Sequence, residues 1–150
     1  MTLKEQLHAD LTDAMRAKDE VRRSTLRMVL TSVTNEEVAG KQARELSDDE
    51  ILKVLARELK KRREAASAYT DAGHPDRAQA ELAEAAVIEA YLPAQLADGE
   101  LAALITSAIT ESGASGPQAM GQVMKVVQPK VAGRADGGRV AAEVKRQLTP

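Results

Sequence analysis

Chemistry in this chain must come from 23 carboxylates, 21 lysines and arginines, two histidines and a few hydroxyls, because cysteine is absent. That absence removes thiolate nucleophiles, zinc thiolate sites and disulfides together. His8 and His74 belong to no metal-spaced group, and neither an HExxH run nor a Ser/His/Asp signature accompanies them. Asp48, Asp49, Asp98 and Asp136 fall near expected helix starts. Capping and dipole complementarity account for them better than acid–base catalysis does. The run Gly133-Arg134-Ala135-Asp136-Gly137-Gly138 superficially resembles a phosphate loop. It lacks the preceding strand and the GxxxxGK[ST] order. Capping of the last helix explains it, although bare N–H groups beside Arg134 and Arg139 leave a second use as a phosphate cradle. We therefore expect no catalytic residue, no metal and no cofactor.

The bases are more informative. Lys60-Lys61-Arg62-Arg63 is the densest run. On a helix its members point about 100° apart, so they encircle the helix rather than form a patch. Arg62 falls in an apolar stripe and is expected to snorkel or to pair with Glu81 or Glu84. The C-terminal bases Lys125, Lys130, Arg134, Arg139, Lys145 and Arg146 share one short lobe. From Gly113 onward there are six bases against two acids, while residues 1–96 carry 15 bases against 18 acids. A basic lobe on an acidic body points to an anionic partner, and these six residues are the candidate nucleic-acid contacts. An ordinary solvated face is the competing reading.

Helices must position these groups. Thr2 with Glu5 and Ser47 with Glu50 have capping-box spacing. The first helix is expected over residues 3–17, with Leu3, Leu7, Leu11 and Ala14/Met15 as its stripe. Asp19 caps a second over 20–38, with Val21, Leu26, Val29, Leu30 and Val33 inward. The third runs from Ser47 to Gly73, with Leu52, Leu55, Leu59, Arg62, Ala66 and Tyr69 on one face. Gly73 suits a left-handed cap and Pro75 the first turn of a fourth helix reaching Leu92, whose stripe is Ala78, Leu82, Ala85, Ile88 and Leu92. The short turn makes helices three and four an antiparallel hairpin. Asp98 opens the fifth helix and Gly113 closes it; Ser115 and Pro117 start the sixth, which Pro129 interrupts; Asp136 caps the seventh.

Composition fits this picture. The chain is 43% hydrophobic and 29% charged, and its only aromatics are Tyr69 and Tyr91. The core is then aliphatic, and both a β-sheet fold and a base-stacking binder lose weight. No apolar run approaches the roughly 18 residues of a membrane span. The opening Met1-Thr2-Leu3-Lys4-Glu5 is amphipathic and acidic, unlike a signal peptide. The expected protein is all-α, cytoplasmic and without membrane contact. It divides into an N-terminal lobe of residues 1–92, a hinge of residues 93–96 and a three-helix lobe of residues 97–150.

Several stretches, in order along nearly the whole chain, resemble the GatB/YqeY family. They are Ser24-Thr25-Leu26-Arg27, Glu58 to Ala65 (ELKKRREA), Tyr91-Leu92-Pro93-Ala94-Gln95-Leu96, Met120-Gly121, and Pro129 to Gly137 (PKVAGRADG). The resemblance implies a free-standing relative of the helical tail of the B subunit of the glutamine-dependent tRNA amidotransferase, a tail that recognises the tRNA body away from the chemistry. Departures fall at His74-Pro75, Ala97 and Gly99, at the starts of helices four and five. The resemblance implies a non-catalytic tRNA-binding or tRNA-enzyme accessory module, with tRNA or an aminoacyl-tRNA-related enzyme as partner. A protein–protein adaptor without an RNA role is the first alternative. Glutamine-dependent carbon–nitrogen ligase activity in association with other subunits is the second.

Overall fold

The early helices open on the side chains the sequence offers in the computed structural model, which describes residues 1–131 and 133–149. For α1 (Leu3–Arg16), Thr2 Oγ1 accepts from the Glu5 N–H at 3.2 Å and Glu5 Oε2 accepts from the Thr2 N–H at 3.1 Å. For α2 (Glu20–Glu37), Asp19 Oδ1 accepts from the Arg22 N–H at 3.2 Å. Ser47 and Glu50 make the same reciprocal pair ahead of α3 (Asp48–Asp71). These bonds satisfy N–H groups that a first turn otherwise leaves without partners.

Gly73, at φ +80°, reverses the chain, and Pro75 begins α4 (Pro75–Glu89). Contacts between α3 and α4 run in opposite chain directions: Arg77 lies over the Tyr69 ring, Arg62 meets Glu84, and Arg63 meets Glu89. The pair is therefore an antiparallel hairpin. After it come α5 (Asp98–Ser112), a 3₁₀ turn at Pro117–Ala119, α6 (Met120–Val131) and α7 (Gly137–Leu148). The chain is all-α, with no strand among the described residues.

The chain divides into two compact units, Met1–Leu92 and Pro93–Pro150. In the first, Leu7, Leu26, Val29, Ile51, Leu55 and Ile88 form an aliphatic core drawn from all four helices. Burying each such Leu or Ile contributes about 1.5–3 kcal/mol. In the second, Leu96, Leu101, Ile105, Val123, Val127 and Val144 do the same for α5, α6 and α7. Tyr91 and Leu92 pack against the first core, whereas Leu96 is buried in the second.

Several expectations need correction. Val21 and Leu82 are 43% and 45% exposed, not inward. On α4 the inward place beside Leu82 is taken by Glu81, which shares Arg62 with Glu84 at 3.1 and 3.2 Å. The stripe therefore runs through Ala78, Glu81, Ala85 and Ile88. Helix α4 stops at Glu89 rather than Leu92, and Tyr91 and Leu92 bond back to Ile88 and Glu89 in tighter i→i−3 fashion. Ser115 makes no cap: Gly116, at φ +80°, leads into the 3₁₀ turn and α6 begins only at Met120. Pro129 does not interrupt α6, which continues to Val131. The proline lies in the last turn, where it forfeits a single backbone bond. Burial of Val127 and Val131 on one face supports that turn.

Two buried carboxylates escaped the sequence reading. Glu37, at the end of α2, accepts from Lys4 Nζ at 2.9 and 3.0 Å and from the Leu46 N–H at 3.1 Å. It thereby ties α1 and the loop before α3 to α2. The lysine bond, then the amide bond, lower its pKa from the ordinary 4.5. Glu58, 4% exposed in mid-α3, accepts from Ser32 Oγ at 3.1 Å.

Candidate nucleic-acid interface

The Pro93–Pro150 unit carries all six C-terminal bases, and the structure sorts them into three kinds. The side chains of Lys125 on α6 and Lys145 on α7 are exposed and make no hydrogen bond or ion pair among the described residues. Both are long, hydrated point charges available to an anion.

Lys130 and Arg146 are exposed but ion-paired. Lys130 Nζ contacts Glu111 Oε2, linking the end of α6 to α5. Arg146 reaches Glu143 one turn earlier through Nε at 2.8 Å and Nη2 at 2.5 Å. Arg146, with help from Gln147, holds the Glu143 carboxyl at about 2. Exposed pairs of this type are worth little to stability, so a phosphate can compete for the cation.

Arg134 and Arg139 are used internally. Arg134 Nε donates to the Ala94 carbonyl at 3.0 Å. Arg139 Nη2 donates to the Leu96 carbonyl at 2.8 Å and to Asp98 Oδ1 at 2.9 Å. The Leu96 N–H donates in turn to the Arg134 carbonyl at 2.8 Å, and Gln95 Nε2 to the Gly133 carbonyl at 3.5 Å. Residues 93–96, expected as the hinge, and the Gly-Arg-Ala-Asp-Gly turn therefore clasp one another. Gly133 supplies the positive φ of +79° that the turn needs. The clasp accounts for both motifs as structural partners, a relationship that their separation in sequence concealed.

The phosphate-cradle reading of the turn loses ground for the same reason. Asp136 Oδ1 occupies the Gly138 N–H at 3.4 Å, and both neighbouring arginines point at carbonyl oxygens. In the Lys60–Arg63 run, Lys61 approaches Glu58, Arg62 holds Glu81 and Glu84, and Arg63 holds Glu89. Arg62 and Arg63 thus brace the hairpin, Arg62 through the acids expected for it, while Lys61 stays on its own helix. His8 and His74 are exposed, and among the described residues no cluster of three or more His, Asp or Glu could hold a metal. No helix among them is long and apolar enough to cross a membrane.

Comparison with known proteins places the sequence in a family. The model of the YqeY-like proteins fits residues 4–148. A curated protein of Meyerozyma guilliermondii, altered inheritance of mitochondria protein 41, is 35% identical over 86 residues, which are 57% of this chain and 44% of that protein. The matched stretch thus spans less than half the length of that relative. The family match extends from the start of α1 to the end of α7 and takes in both clasped motifs, so the chain belongs to the YqeY-like family, the GatB/YqeY family that its motifs resemble.

Proposed function

We propose that this chain is a non-catalytic accessory module that binds the backbone of folded tRNA through its C-terminal unit, in the cytoplasm. The carrying observation is the pair of unpartnered cations, Lys125 and Lys145, in a stretch with six bases against two acids. Lys130 and Arg146 add two exposed charges held only by surface pairs. The contact is to shape and phosphate, because neither tyrosine lies in the Pro93–Pro150 unit to stack on a base. Arg134 and Arg139 support the surface by holding the clasp.

A tRNA-binding titration over a salt series tests the reading. Each phosphate neutralised adds about 0.7–0.9 to the slope of log K against log salt. Lys125→Ala with Lys145→Ala should lower that slope by about 1.4–1.8 while leaving the fold intact. Absence of binding at low salt would overturn the proposal.

One observation favours a second reading. Leu82 is 45% exposed on the outer face of α4, among exposed alanines at 83 and 86. A protein adaptor would present such a face. Capture of a protein partner that survives RNase treatment, without tRNA binding, favours it. Amide formation by the purified chain would instead support the ligase alternative.

A further inference from the structure

An open cleft of about 340 Å³ lies between α2 and α3, wholly within the Met1–Leu92 unit. Its charged and polar lining is Ser32, Asn35 and Glu36 from α2 with Arg57, Glu58 and Lys61 from α3. Glu58 is its one buried residue, at 4% exposure, whereas Arg57 and Lys61 stand at the rim with side chains 49% and 59% exposed. The buried carboxylate has a weak counter-charge: Lys61 Nζ is 3.5 Å from Oε1, which already accepts from Ser32. A buried carboxylate gains most from a close, charge-assisted donor.

We propose that this cleft binds a small zwitterion of α-amino-acid size, its ammonium directed inward to Glu58 and its carboxylate outward to Arg57 and Lys61. The two acids and two bases sum to zero, so the site as a whole favours neither cations nor anions. Glu58 alone lies deep, whereas Arg57, Lys61 and Glu36 stand at the rim and leave it a net charge of +1, which favours a ligand that carries both charges at its own two ends. Arg57 keeps donors for a carboxylate although Nη1 bonds Glu36 at 2.9 Å, because a guanidinium has five N–H groups. The volume accommodates one free amino acid, and Ser32 and Asn35 offer neutral polar partners for a short side chain. This site is independent of the RNA reading, which rests on the other unit.

The test is an amide-NMR titration of the full chain with L-asparagine, N-acetyl-L-asparagine and L-asparagine amide. L-Asparagine should give saturable shifts centred on residues 32–39 and 57–61 at millimolar concentration, as a small polar ligand allows. Acetylation removes the ammonium and should weaken binding by about 10-fold or more, as should Glu58→Gln. The amide, lacking the carboxylate, should bind several-fold more weakly, as should Arg57→Ala and Lys61→Met. Those two positions are exposed, so the carboxylate arm remains testable should Glu58→Gln unfold the helix. Absence of saturable shifts, equal binding of the acetylated probe, or unchanged binding across the folded variants would overturn the proposal.

Discussion

Tyr91 Oη donates to Asp10 Oδ2 and so fastens the chain after α4 to the middle of α1. The tyrosine belongs to the Tyr-Leu-Pro-x-Gln-Leu motif, of which Tyr91 and Leu92 serve the first unit and residues 93–96 the second. Burial, followed by the bond to Asp10, pushes the phenol well above its ordinary 10.0, against a smaller opposing pull from Arg22.

Tyr91→Phe keeps the ring and removes the donor to a carboxylate. We expect a loss of about 1.5–3 kcal/mol in urea unfolding, the usual worth of a hydrogen bond to a charged group. Absorbance at alkaline pH supplies an independent readout. Ionisation of Tyr91 should begin only well above pH 10 in the folded chain, and Tyr91→Phe should abolish that late component. Its survival in the variant would refute the assignment.

Arg62 lies between Glu81 and Glu84 on the inner side of the α3–α4 hairpin, with all three side chains partly buried. Arg62→Met would retain the stem and leave two carboxylates facing each other. The expected cost is about 1–3 kcal/mol, below that of a fully buried pair because water reaches these groups. Adding Glu81→Gln should recover part of that loss, and no recovery would show that the cation's charge is not what matters there.

The Ala97 N–H donates to Glu100 Oε1 at 3.3 Å, half of a capping box. Alanine has no acceptor for the N–H groups of the first turn of α5. Ala97→Ser supplies one at an extended backbone position (φ −68°, ψ 157°) and should stabilise the unit by about 1 kcal/mol. A higher Tm by calorimetry would confirm it, and an unchanged Tm would mean that water already serves those donors.

Glu50 and Glu143 are both held at about 2, against an ordinary 4.5, chiefly by Arg44 and Arg146 respectively. Folded-state values below the unfolded ones mean that the unfolded chain takes up protons first as pH falls. Their stabilising effect is complete above pH 4.5 and disappears as pH falls toward 2. The Tm should therefore decline through that window. Glu143→Gln, which cannot titrate, should make the decline shallower, and an identical slope would contradict the linkage.

Local signals were legible in the sequence wherever the relevant partners lie within one helical turn. Thr2 with Glu5, Ser47 with Glu50, Asp19 and Asp136 mark helix starts because a cap needs only the next two or three N–H groups. Gly73 and Gly113 mark stops because both take positive φ. Arg62 was readable as an ion-pairing residue because a charge in an apolar stripe must find an acid on the facing helix, and the short Gly73–Pro75 turn left few choices.

Burial and partnership at long range were not legible. Glu58 and Glu37 look like surface acids in sequence, yet each is buried by groups at least nine residues distant, Ser32 for one and Lys4 with Leu46 for the other. Leu82 looks like core but yields its place to Glu81, because Arg62 enters from the opposite helix. The six C-terminal bases are interchangeable as letters. The tertiary structure alone separates Lys125 and Lys145, left facing solvent, from Arg134 and Arg139, which hold the carbonyls of Ala94 and Leu96. The sequence by itself determined the helices, their caps and the excess of positive charge near the C-terminus. Which charges remain available to a partner was decided only by folding, because an arginine's donors go to whichever acceptors the packed backbone brings within about 3 Å.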